Sequence, residues 1–199
     1  LTAVMGNISL AKLEAEGNQE LMELLKDAEK AAGRIKSMTE RVALFSRGIK
    51  VNKKTSNVGE VVRDALSSAA GDYPGKLKLK IDDDLPEVDM DPELVSEALV
   101  CIIENAREEA PSGDGVIEVT VSREDVRNSS KNYGSGVADG DYIRISVKDN
   151  GKGFNPDDSV VMFDPYFSTK VERGGVGLAL AYSILKRHRG FITAALPQD

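Results

Sequence analysis

Asp149-Asn150-Gly151-Lys152-Gly153-Phe154 follows directly on a segment in which Ile143, Ile145 and Val147 alternate with polar residues, the pattern of a half-buried strand. An Asn-Gly pair after a strand is, on turn chemistry alone, an ordinary hairpin turn. The same residues also permit a second reading. A carboxylate at a strand end accepts a hydrogen bond from an exocyclic amine such as adenine offers, and glycines beside it let backbone approach a flat ring.

Two further polar groupings decide how much weight that second reading carries. Gly174-Gly175-Val176-Gly177-Leu178-Ala179 opens the last helical pattern, with Lys170 and Arg173 just before it. N–H groups at a helix N-terminus, unobstructed by Cβ atoms, form a phosphate site, and nearby cations neutralise what charge remains. A flexible entry to the helix is the alternative. The run is neither a Walker loop nor G-x-G-x-x-G, so the two commonest nucleotide folds are not indicated. The other grouping is Asn105, within Cys101-Ile102-Ile103-Glu104-Asn105-Ala106-Arg107-Glu108-Glu109, midway along a predicted helix. An amide is a poor helix residue, and its oxygen is a neutral ligand suited to Mg²⁺, which takes one or two protein oxygens beside phosphates and waters. A solvated or locally bonded Asn is the alternative.

Composition narrows the classes around these groupings. The chain has 199 residues, 41% hydrophobic and 30% charged, enough apolar mass for a real core. It carries 26 basic and 33 acidic residues, a net charge of −7, so a generic nucleic-acid surface is not expected. The single cysteine, Cys101, excludes an intramolecular disulfide and fits a reducing, cytoplasmic setting. No apolar run approaches the length of a membrane span. The chain opens on Leu1-Thr2-Ala3-Val4 inside a helical pattern, which suggests upstream sequence.

Residues 1–47 read as two helices on either side of Glu16-Gly17-Asn18. The first stripe is Leu1, Val4, Ile8, Ala11, Ala15; the second, Leu21, Leu24, Ala28, Ala31, Ile35, Met38, Val42, Phe45, alternates steps of three and four like a coiled-coil seam. Two helices cover such stripes only in part, so the pattern predicts a homodimer through residues 1–47, paired as an antiparallel four-helix bundle. Residues 48–56 read as a linker, and 57–199 as an α+β domain. There the sequence predicts a helix at Val58–Ala70, a strand at Leu77–Ile81, a helix opening on the cap Asp91-Pro92, and strands at Val116–Val121 and Tyr142–Val147. Asn128–Asp141 reads as a long loop, Val176–Arg189 as the last helix and Phe191–Ala194 as a closing strand.

Taken together the chain resembles the sensor histidine kinase family, whose ATP-binding domain is shared with gyrase, the Hsp90 chaperones and MutL. Glu104-Asn105-Ala106 is similar to that family's Asn-containing box, and Asp149-x-Gly151-x-Gly153 to its first glycine box. Phe163-Asp164-Pro165-Tyr166-Phe167-Ser168-Thr169-Lys170 resembles its phenylalanine box, and Gly175-Val176-Gly177-Leu178-Ala179 its second glycine box. Residues 1–47, with Ala43-Leu44-Phe45-Ser46-Arg47, resemble its dimerisation and histidine-phosphotransfer hairpin. The resemblance implies a helical hairpin followed by an α/β sandwich whose mixed sheet is covered by helices on one face. It implies ATP and Mg²⁺ as cofactors, Asp149 on the adenine amine, Asn105 on Mg²⁺, and a short lid between Lys170 and Gly175. It further implies γ-phosphoryl transfer to a hairpin histidine and on to the receiver domain of a response regulator.

The departures from that family are local. Its acceptor histidine lies a few residues upstream of the segment matched by Leu1-Thr2-Ala3-Val4-Met5-Gly6-Asn7, and these 199 residues contain only His188. At the end of a helix a His is expected as a surface residue favoured by the dipole. Cys101 stands where these kinases usually have Asn and the hydrolytic relatives a general-base Glu, and it is expected as a buried structural thiol. Arg173 replaces the first glycine of the second box, and the closing hairpin is missing. The alternatives are a non-enzymatic pseudokinase scaffold that docks a response regulator, and an ATPase or serine kinase of the same fold.

Overall fold

The computed structural model describes residues 1–127, 137–159, 161–164 and 175–195, which divide into two compact units, Leu1–Gly48 and Ile49–Asp199. In the first unit, α1 (Thr2–Glu14) and α2 (Gln19–Arg47) pack on one another. Gly17 takes a left-handed φ of 95° at the turn, and the Asn18 side chain accepts from Leu21 N–H at 3.1 Å, capping α2. Lys12 Nζ meets Glu29 Oε2 at 2.8 Å across the pair, and Ala15 and Ala32 are buried. The predicted α2 seam lies elsewhere on the helix: Leu21, Leu24, Ile35, Met38 and Val42 are all exposed in the single chain, Leu24 to 62%.

The second unit places α3 (Val58–Ala70), α4 (Pro92–Glu109) and α5 (Gly177–Arg187) with a three-stranded sheet in the order β2 (Lys76–Ile81), β4 (Val116–Val126), β5 (Gly140–Asp149). The sheet is mixed. β2 runs parallel to β4, with Lys76 opposite Val116 and Ile81 opposite Val121; β4 and β5 are antiparallel from Ile117–Asp149 to Val126–Gly140. Alternation decides which face is dry: Ile117, Val119 and Val121 are fully buried while Glu118 between them is exposed. Against that dry face pack Val62, Ala65 and Ala69 of α3 and Val95, Leu99, Ile103 and Ala106 of α4. The α4 cap is as expected, with Asp91 Oδ1 accepting from Leu94 N–H at 3.2 Å and Pro92 in the first turn.

Several element boundaries differ from the sequence expectation. The β4–β5 ladder continues to Val126 and Gly140, so the loop expected at Asn128–Asp141 gives up its last two residues; residues 128–136 lie outside the described ones. Ion pairs extend that ladder, Arg123 to Asp141 at 3.3 Å and Arg144 to Glu124 at 3.6 Å, and these polar stretches carry no apolar alternation to read. Phe191–Ala194 forms no strand. Its described backbone joins no ladder, and Phe191 instead meets Tyr142 edge-on with ring centroids 5.5 Å apart. A second small sheet pairs β1 (Lys54–Ser56) antiparallel to β3 (Val88–Met90), so the end of the expected linker is already part of the domain.

Candidate functional site

β5 ends on Asp149, whose half-buried carboxylate accepts from Gly151 N–H through Oδ1 at 2.8 Å. A Cβ on Gly151 would collide with the Glu109 carbonyl and lie 2.7 Å from Asp149 Oδ1, so only glycine allows this turn to lie against the C-terminal end of α4. Asn150 fixes the same turn from the other side. Its Oδ1 accepts from Val116 N–H at 2.7 Å and its Nδ2 donates to Asp114 O at 3.1 Å. The chain then leaves the sheet through two short 3-10 turns, Pro156–Ser159 and Val161–Phe163, with Gly153 at φ 71° on the way. Hence Asn150-Gly151 is no hairpin turn: among the described residues β5 pairs with β4 alone, and the chain goes on into 3-10 turns.

Asn105 stands half-buried on α4, and among the described residues its amide makes no hydrogen bond. Four residues earlier, one turn along the same face, Cys101 is buried with its thiol 3.8 Å from Glu97 Oε1, as a structural cysteine. Against Cys101 comes the start of α5: a Cβ placed on Gly177 would lie 3.7 Å from Cys101 Cβ. Gly175 takes a left-handed φ of 57°, Val176 is buried, Leu178 is half-buried, and among the described residues no side chain caps the first turn. The N–H groups of that turn are therefore open to an anion.

α4 is thus the shared wall, with the Asp149–Gly151 turn at its C-terminal end and the glycine-opened α5 against its middle. Asn105 lies on this wall and Gly151 and Gly177 against it, while Asp149, Gly153, Gly175, Val176 and Leu178 adjoin those two glycines in sequence; Lys170, Arg173 and Gly174 lie outside the described residues. No cluster of three or more His, Cys, Asp and Glu is present among the described residues. A divalent ion would accordingly depend on phosphate and water oxygens, and an uncommitted amide at Asn105 fits that donor set.

Two residues of this domain were given only local roles by the sequence. His188 is half-buried, not a free surface residue: Nδ1 lies 2.8 Å from Ile184 O, and Nε2 accepts from Asp91 N–H at 3.0 Å. Asp91, expected only as a helix cap, also accepts from Asn52 N–H through Oδ2 at 2.8 Å. Ninety-seven residues separate Asp91 from His188. No local pattern could have joined them.

Residues 90–198 match the family model for the histidine kinase-, DNA gyrase B-, and HSP90-like ATPase. The chain belongs to that family. Within it, sporulation kinase E of Bacillus subtilis is 27% identical over 96% of this chain, and the chain spans 24% of that relative's length. Full-length ShkA in complex with AMPPNP has a TM-score of 0.64 at 18% identity, covering 93% of this chain and 38% of that one. Histidine kinase ThkA in complex with response regulator protein TrrA has a TM-score of 0.59 at 17% identity, over 95% of this chain and 51% of that one. The ATPase-family match begins at the end of β3 and includes every candidate site residue, so the ATP-binding domain is that of the sensor histidine kinases. No helix among the described residues is long and apolar enough to cross a membrane.

Proposed function

We propose that the chain is the dimerisation and ATP-binding core of a sensor histidine kinase. It moves the γ-phosphoryl group of ATP to a histidine on the helical hairpin, and thence to a response-regulator aspartate. The observation that supports this most is the convergence on α4: a strand-end carboxylate at one end, an uncommitted amide midway, and an open glycine-lined helix N-terminus beside it.

Each residue has a physical task in this reading. Gly151 N–H holds Asp149 Oδ1 and leaves Oδ2 to accept from the adenine amine. The first turn of α5 donates N–H groups to phosphate oxygens, and by the family resemblance Lys170, Arg173 and Gly174 contribute to the same phosphate site. Asn105 offers its amide oxygen to Mg²⁺. An ion held there would supply charge neutralisation at the phosphate oxygens, and the work left to the protein's own residues is positioning, which is how phosphoryl transfer is catalysed generally. The acceptor imidazole nitrogen forms the new bond to the γ-phosphorus as the bond to the leaving ADP oxygen breaks.

Residues 1–47 contain no histidine, and both ring nitrogens of His188 are engaged, so His188 is not the acceptor. The exposed α2 seam supports a homodimer, and the likeness to ThkA, a histidine kinase seen bound to the response regulator TrrA, supports a receiver domain as the partner. Calorimetry with Mg-ATP tests the site. Asp149→Asn loses a charge-assisted hydrogen bond worth about 1.5–3 kcal/mol, and so roughly tenfold or more in affinity. Parent and variant binding equally would sink the assignment. Acid-labile label from γ-labelled ATP, on a chain extended upstream to a histidine, tests transfer. Nucleotide binding without label would favour the scaffold.

A further inference from the structure

His188 ends α5 with two partners that settle its chemistry. The Ile184 carbonyl 2.8 Å from Nδ1 can only accept, so Nδ1 carries a hydrogen; the Asp91 N–H 3.0 Å from Nε2 can only donate, so Nε2 is bare. These partners select the Nδ1–H tautomer. On the far side of this contact Asp91 is buried, 8% exposed, with one carboxylate oxygen on Leu94 N–H and the other on Asn52 N–H. One polar knot therefore ties the end of α5, the start of α4 and the strand entry before β1.

α5 runs antiparallel to α4 and packs along it through a buried face that includes Ala179, Leu180 and Ile184, with two contacts far apart on that seam. Gly177 lies against Cys101, and His188 reaches Asp91; ten residues of α4 separate those contacts, about 15 Å at the helical rise. The first contact is apolar and close, and does not by itself stop a helix from sliding along its axis. The second is directional. We infer that His188 is a positioning residue for nucleotide binding: through Asp91 it sets the axial position of α5, and with it the position of the α5 N-terminus relative to Asn105. The inference rests on the function proposed above, because only a ligand bridging the two helices would sense the shift.

Since His188 is the sole histidine, its imidazole gives one set of signals in a ¹⁵N-resolved spectrum. The Nδ1–H tautomer is expected, and the Nε2–H tautomer would overturn the assignment. Calorimetry with Mg-ATP then separates two variants. In His188→Asn the amide keeps the bond to Ile184 O but leaves Asp91 N–H without its acceptor. In His188→Gln an oxygen replaces Nε2. The Asn variant is expected to lose about threefold to tenfold in affinity, the scale of one hydrogen bond, and the Gln variant to stay within about twofold of the parent. Parent-like binding by the Asn variant overturns the role. If the Asn variant fails to fold, a folded Gln variant that has lost threefold or more overturns it equally, because it retains the acceptor. A parent that binds no Mg-ATP removes the proposed function and this role together, whereas binding indifferent to both variants removes this role alone.

Discussion

Gly151 carries the sharpest steric constraint in the site, because the space a side chain would need is taken by the Glu109 carbonyl and by Asp149 itself. Gly151→Ala must push the turn off α4, and overpacking of this kind costs about 1–3 kcal/mol. The expected outcome is a lower urea midpoint and a loss of Mg-ATP affinity larger than the stability loss alone explains, since the Gly151 N–H bond that aims Asp149 goes with it. Unchanged affinity in calorimetry would contradict this geometry. Arg189 is the opposite case: it is the only described non-glycine residue with a positive φ, at 63°, just after α5. A side-chain-bearing residue there costs about 1–2 kcal/mol of steric strain, partly offset by the freedom that glycine gains in the unfolded chain. Arg189→Gly should therefore raise the unfolding free energy by about 1 kcal/mol in a urea titration. At this scale legibility followed distance along the chain. At Asp149 and Gly151 the carboxylate, the glycine and the strand end are neighbours in sequence, so a local reading can propose them as a site. The second duty of Asp91 and both partners of His188 combine residues that no window contains.

The helix caps connect single residues to elements, and Asp91 is the cap with most at stake. Removing it frees Leu94 N–H at the start of α4 and Asn52 N–H before β1. Loss of a cap typically costs about 1 kcal/mol, and a second orphaned donor about as much again, so Asp91→Ala is expected to destabilise by about 2 kcal/mol. Asp91→Asn keeps an acceptor for the cap, and its urea midpoint should fall between those of Asp91→Ala and the parent. Elements with a strong internal period were legible here. α3 occurs at the predicted residues, and α4 starts at its predicted cap, because amphipathic spacing and capping chemistry are written locally. What failed were pieces whose existence depends on a distant partner. β1 and β3 have three residues each, too few to show alternation, and exist because Lys54–Ser56 pairs with Val88–Met90. Phe191–Ala194 has strand-like residues but no ladder to join.

On the scale of the whole molecule, the two units bury apolar surface differently, and that difference predicts how they respond to mutation. Residues 49–199 contain a dry core of their own, in which Val62, Ala65, Ile103, Ile117, Val119 and Val121 are fully enclosed. In residues 1–48 only Ala15 and Ala32 are buried hydrophobics among the described side chains, while Leu21, Leu24, Ile35, Met38 and Val42 lie exposed along one stripe of α2. A stripe of that length left in water is unfavourable at roughly 25 cal/mol per Å², and the seam spacing suits another helix pair of the same kind. If a second copy covers it, charge placed in the stripe must separate the copies without touching the other core. Leu24→Glu with Ile35→Glu is expected to halve the mass measured by sedimentation equilibrium at about 10 μM, since two desolvated carboxylates per chain cannot be buried unpaired. The same double variant should bind Mg-ATP with the parent's affinity, because every site residue named above belongs to the other unit. A parent already monomeric at that concentration would refute the dimer. A variant that stays dimeric would place the interface away from this stripe, and one that loses nucleotide binding would mean that the site depends on the hairpin.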